Sequence, residues 1–267
     1  MYDNICKYIA QEFSEDIASW LLGEKISLTQ LKPTELNLEP IRADSLILLK
    51  NEELILHLEF QTMPDTNMAF RMLDYRVRGY RRFPHKKMRQ IVIYLKPSNS
   101  DLIEKNYFKL PKLSYEFDII KLWEQPTQMF LNSVGLLPFA ILSKTDNQKE
   151  TLQEIAKNIE KIKVKTIKNN VTACTEILAG LILDQQTIKH ILREDIMKES
   201  VIYQDIIAQG IQKGIQQGIQ QGIQQGIQQD KAEIALKMLQ EKMPLNLIAK
   251  LTDLPLTKVQ EIQSQME

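Results

Sequence analysis

Asp44 and Glu59 lie in two short β-prone runs, IRADSLILL and ELILHLEFQ, separated by the polar turn Lys50-Asn51-Glu52-Glu53. Folded as an antiparallel hairpin centred on Asn51-Glu52, the runs set Leu49 against Leu54, Leu46 against His57 and Asp44 against Glu59. Directly opposed residues hold their Cβ atoms roughly 4.5–5.5 Å apart. One face of this ribbon carries Ile47, Leu49, Leu54, Leu56, Leu58 and Phe60, with Ser45 as its polar member. The other carries Leu46, Leu48 and Ile55, then turns polar with His57, Asp44, Glu59, Gln61 and Arg42. Paired carboxylates in a sheet covered on both sides repel unless a cation lies between them or one keeps its proton. Oxygen ligands without a Cys/His cluster suit magnesium or manganese better than zinc. Such an ion keeps waters, binds a phosphate oxygen and generates hydroxide, which is what phosphodiester hydrolysis requires. In the plainer reading Asp44 merely starts a strand and Glu59 lies on a solvated face, since alternating polar residues are common in strands. Pairing and periodicity leave both readings open.

The elements that must position these side chains follow from the hydrophobic pattern. Residues 2–22 place Ile5, Ile9, Phe13, Ile17, Trp20 and Leu21 at helical spacing, with Gly23 as the stop. Residues 67–83 return to helical spacing through Phe70, Leu73, Val77 and Tyr80, the stripe expected to be buried. Gln90–Leu95 reads as a buried strand and Phe117–Trp123 as another, so the first part of the chain is α/β and layered. From about Asp146 the pattern is helical, through Leu152, Ile155, Ile159 and Ile162, then 171–183 and 187–197. The expected organisation is 1–145, a helical extension 146–205, a repeat segment 206–230 and a small helical module 231–267.

The helix after the hairpin is basic. Residues 71–89 carry eight lysines and arginines against the single acid Asp74. Arg71, Tyr75, Arg78 and Arg82 share a face at spacings of four and three, with Lys86 and Lys87 just beyond. A basic face with an aromatic residue suits phosphate-backbone contact, which gives DNA affinity without sequence information. A solvated helix whose arginines pair with acids elsewhere is the alternative.

Residues 210–229 are five tandem four-residue units, GIQK and then GIQQ four times. A four-residue step advances the isoleucine row by about 40° per repeat on a helix. Five helical glycines cost on the order of 4–5 kcal/mol relative to alanine, so a stable helix needs a partner that glycine lets approach closely. Either the row Ile211, Ile215, Ile219, Ile223 and Ile227 packs between chains as a homo-oligomer contact, or the segment is a spacer. Residues 231–265 read as three short helices, with Pro244 and Pro255 near helix starts.

Composition narrows the class. In 267 residues, 34 basic side chains balance 34 acidic ones, so nucleic-acid affinity must come from a local patch. Cys6 and Cys174 lack metal spacing and fit a reducing compartment. No secretion signal or apolar run of membrane-spanning length is present, and a cytoplasmic location is expected. His57, His85 and His190 are isolated in sequence and read as structural, with His57 singled out because it points to the carboxylate face.

An acid on one strand followed by E-x-Q on the next resembles the PD-(D/E)XK nuclease superfamily. More specifically, ADSLILL, LHLEFQTMPDTNMAFRMLDYR and RQIVIYLK look like the recombination-promoting nuclease / putative transposase (Rpn) family over roughly residues 1–145. The resemblance implies a restriction-endonuclease-like α/β/α core with a mixed sheet, followed by an all-helical C-terminal region. It also implies magnesium-dependent DNA cleavage, with manganese as the other ion. Asp44, Glu59 and the Phe60 carbonyl are then metal ligands, and Gln61 orients the attacking water. Ala43 stands where the motif has proline, and Gln61 where it usually has lysine, which removes a cation from the site. A further acid from the first helix is frequent in the superfamily, and Glu12, Glu15 and Asp16 are its candidates here. The competing expectation is a nuclease-fold protein without efficient catalysis that binds DNA or assembles.

Overall fold

The computed structural model describes residues 2–31, 47–192 and 201–264. Among them, one sheet holds five strands in the order β1 (Thr29–Gln30), β2 (Ile47–Lys50), β3 (Leu54–Gln61), β4 (Lys87–Tyr94) and β7 (Asp118–Lys121). Pairing is antiparallel from β1 to β3 and parallel from β3 through β4 to β7, so the sheet is mixed. The parallel pair is joined through helix α3 (Met68–Arg82), as a parallel connection requires. Between β4 and β7 stands a separate hairpin, β5 (Tyr107–Leu110) and β6 (Leu113–Glu116), which the hydrophobic pattern does not announce. Its turn takes Lys112 to φ 64°. The expected strand 117–123 is shorter, because Leu122–Glu124 closes into a 3-10 turn.

The inner parts of β3 and β4 are covered on both faces, so apolar residues follow one another there, interrupted by the buried His57, Glu59 and Gln90. Leu56, Leu58, Phe60, Ile91 and Ile93 pack with Ile47 and Leu49 against α1 (Tyr2–Glu12) and α2 (Ser14–Leu22). Leu48, Ile55, Val92 and Tyr94 face the other way, toward Met68, Met72 and Tyr75 of α3. The expected single helix over 2–22 is two helices, broken at Phe13. Phe13 sits against Gly135, where even a Cβ would lie 2.2 Å from the Phe13 Cβ. Gly23 ends α2 as expected, at φ 76° with its N–H on the Ser19 carbonyl.

The hairpin register differs from the expected one by two residues. Leu48, not Leu46, opposes His57, and Leu49 opposes Leu56 rather than Leu54. The cause is Asn51. Its side-chain oxygen accepts from the Glu53 and Leu54 N–H groups, and its own N–H donates to the Leu54 carbonyl. The turn is thereby centred on Glu52-Glu53. A slip of two preserves the faces, since strand side chains alternate with period two. It removes the premise that set Asp44 directly across from Glu59; Asp44 itself lies outside the described residues, as do Arg42 and Leu46.

Helices α4 (Thr127–Leu131), α5 (Leu137–Ala140), α6 (Gln148–Glu160), α7 (Lys165–Ala179) and α8 (Gln185–Ile191) complete the first unit. Leu152, Ile155, Cys174 and Leu178 join Ile5, Ile9, Phe60 and Phe139 in one core, which runs through residue 145 without a break. The chain divides into two compact units after Ile206. Helix α9 (Val201–Gln240) contains the whole repeat, and the first of the three expected short helices is its last part. α9 ends against α10 (Leu245–Thr252) and α11 (Leu256–Ser264) over Ala235, Ile248, Leu254 and Val259. Among the described residues no helix is long and apolar enough to cross a membrane.

Candidate active site

Alternation along β3 turns His57 and Glu59 to the α3 side, and both side chains are fully buried. A lone carboxylate there needs compensation, since desolvating an unpaired charge is costly. Arg71, in the first turn of α3, supplies it: its Nη2 donates to Glu59 Oε2 at 3.0 Å. The same guanidinium donates through Nη1 to Asp65 Oδ2 at 3.2 Å. Asp65 is fixed in turn, because its Oδ1 accepts the Asn67 N–H at 2.8 Å.

The second oxygen, Glu59 Oε1, is buried without a hydrogen bond. It lies 3.5 Å from His57 Nε2, itself buried and unbonded. Behind His57, the Gln90 amide nitrogen lies 2.8 Å from both His57 Nδ1 and the Met72 carbonyl, and the Tyr115 hydroxyl donates to Gln90 Oε1. Tyr75 presses on the His57 ring edge-on at 4.9 Å between centroids. Burial, and then the nearby Glu59 charge, push the Tyr75 phenol well above the usual tyrosine range. Burial likewise lifts Tyr115 to about 12, so both hydroxyls stay protonated at neutral pH.

Gln61 closes β3, half-buried, with its carbonyl accepting from Leu95 N–H. Phe60 turns its ring to the opposite face, stacked on Phe139 at 5.6 Å. Among the N-terminal acids, Asp16 accepts from the Gly135 N–H and Glu15 faces Lys25, which leaves Glu12 exposed. No group of three His, Cys, Asp or Glu that could hold a metal occurs among the described residues. Glu59 Oε1, buried and without a donor, is the atom of this cluster whose chemistry fits a hard cation.

The basic helix is rotated from its expected orientation. Met68, Met72, Tyr75 and Gly79 face the sheet, while Phe70, Val77 and Tyr80 are each at least half exposed. Tyr75 is therefore a core residue, not part of a DNA-facing stripe. Arg71 is drawn inward by Glu59, and Arg78 pairs with Asp74 at 2.9 Å. Lys86 donates to the Asn51 and Glu52 carbonyls and so ties down the hairpin turn. Arg82 and Lys87 remain on the surface. α3 carries two apolar stripes, and counting large side chains selects the wrong one. Gly79 is the signal that identifies the other: it lies on the buried stripe, and a Cβ there would stand 2.7 Å from Met88 Sδ, the flexible end of a side chain on β4 that would have to move aside. Arg71 and Gln90, the two residues that satisfy the buried polar pair, carry no motif of their own in the sequence.

No family model, curated protein or solved structure matches this chain.

Proposed function

We propose that the chain is a metal-dependent DNA endonuclease of the PD-(D/E)XK type, similar to the Rpn family, with a restriction-endonuclease-like core. The observation that supports this reading is Glu59: a carboxylate fully buried on a central strand, with one oxygen on Arg71 and the other unbonded. In this reading Glu59, Asp44 and the Phe60 carbonyl hold magnesium or manganese. The bound ion supplies an activated water and neutralises charge on the phosphate. Gln61 orients the water, and Arg71 holds Glu59 in place. DNA is held by cations at the surface of α3 and its surroundings, including Arg78, Arg82 and Lys87. The GIQQ helix joins copies of the chain through Ile215, Ile219, Ile223 and Ile227, each 49% exposed or more. A cytoplasmic location belongs to the same reading.

Supercoiled plasmid incubated with the full chain and Mg2+ tests it. Wild-type protein nicks or linearises the plasmid, while Asp44→Asn and Glu59→Gln abolish cleavage with circular dichroism unchanged. Cleavage retained in both variants removes the assignment. A second reading is favoured by the Arg71–Glu59 pair, which already neutralises the carboxylate without an ion. In that case the chain binds DNA without cutting it, and the wild type shifts the plasmid in a gel but leaves it intact.

A further inference from the structure

Gln90 reaches two atoms with one amide nitrogen, and this fixes more than its own position. The Met72 carbonyl only accepts, so the Gln90 atom 2.8 Å from it is the nitrogen and the amide cannot be reversed. The Tyr115 hydroxyl, on the other side, donates to Oε1. The remaining hydrogen of the nitrogen points at His57 Nδ1, also at 2.8 Å. Nδ1 is therefore an acceptor, and the ring carries its hydrogen on Nε2. Nε2 is the atom that faces Glu59 Oε1 at 3.5 Å.

We propose that His57 is a positioning residue for Glu59, held in the Nε2–H tautomer by Gln90 and Tyr115, and that it restrains the carboxylate oxygen Arg71 does not reach. The inference rests on Glu59 being the functional carboxylate of the proposed nuclease. The opposite tautomer would aim a bare nitrogen lone pair at a carboxylate oxygen with both side chains fully buried, leaving both unsatisfied and repelling. At 3.5 Å the contact is longer than a formed hydrogen bond, so a slight turn of either group closes it. Glu59 thus has one tight restraint, Arg71 at 3.0 Å, and one looser one. Networks of this kind orient a ligand and set its basicity, and losing one member typically costs about 10–100-fold in metal affinity.

Ring-nitrogen NMR on the 15N-labelled full chain reads the tautomer directly, independently of activity. Three histidines give three ring systems, and His57→Gln identifies the one that matters. The expected result is a protonated Nε2 and an unprotonated Nδ1 for His57, with the preference weakened in Tyr115→Phe, a variant that removes a single oxygen. A wild-type ring protonated on Nδ1 overturns the proposal. Mn2+ titration gives the second readout. Gln90→Leu and His57→Leu lose about tenfold in affinity, whereas His57→Gln, which keeps a donor toward Glu59, loses much less. Equal affinity across the three variants overturns the positioning role. A chain with the Nε2–H ring that binds no Mn2+ in any form sinks the metal reading of Glu59 and upholds the network.

Discussion

At the residue scale the central balance is between Glu59 and the groups that make its burial tolerable. Arg71 is a quarter exposed while Glu59 is fully enclosed, so removing the arginine leaves a charge with little access to water. Arg71→Ala should destabilise the fold by about 3 kcal/mol, the low end for breaking a buried pair because one partner is still wetted. Urea unfolding of Arg71→Ala, Glu59→Gln and the double variant measures it. A double variant as unstable as the sum of the two singles would show the pair is not coupled. Gly135 is the other sensitive position. A methyl there collides with the Phe13 Cβ and Cγ at 2.2 and 2.4 Å, close to the backbone and unable to swing away. Gly135→Ala should cost about 2–3 kcal/mol; a loss of less than about 0.5 kcal/mol would mean that α2 shifts freely.

At the element scale α3 decides how the site is built. Its inward stripe is chosen by three things acting together: Gly79 leaves room for the Met88 side chain, Tyr75 fills space beside His57, and Arg71 reaches Glu59. Its outward stripe is then left on the surface despite being aromatic. The two faces are separable by mutation. Tyr75→Ala should cost about 3–5 kcal/mol as a large-to-small change in the core, whereas Val77→Ser and Tyr80→Ser should stay within about 0.5 kcal/mol of wild type. The reverse ranking, seen in thermal or urea midpoints, would restore the expected orientation. The helix pattern of 67–83 was readable as a helix, but not in its rotation. Periodicity reports that apolar residues recur, and two stripes on opposite sides give it no means of choosing.

At the scale of the whole molecule, two sets of groups report on integrity. Burial pushes Tyr8 and Tyr115 from 10.0 to about 12, and Cys174 from 9.0 to about 12. These groups hold their protons more firmly when folded, so the folded state binds more protons through this window. The stability they contribute is complete below the unfolded values and is lost as pH rises from about 9 to 12. Urea midpoints should therefore fall between pH 9 and 11, and a flat profile would show these side chains to be accessible. The tail sets assembly in the proposed reading. Deleting 214–229 should lower the number of copies per particle measured by light scattering, and an unchanged number would remove the GIQQ row from any interface.

The sequence alone determined the α/β class of the first part, the strand faces from Ile47 through Phe60 and the helical character of the described residues beyond 146, because these follow from local periodicity. It also pointed to Glu59 as chemically unusual. Only the tertiary structure decided the hairpin register, which a single Asn51 side chain controls, and the rotation of α3, which depends on what β3 and β4 present to it. The same holds for the polar network around Glu59. Arg71, Gln90 and Tyr115 lie 12, 31 and 56 positions beyond Glu59 in the chain. Distances of that kind leave no mark in sequence spacing, since what joins these residues is the need to satisfy one buried charge and its neighbouring imidazole.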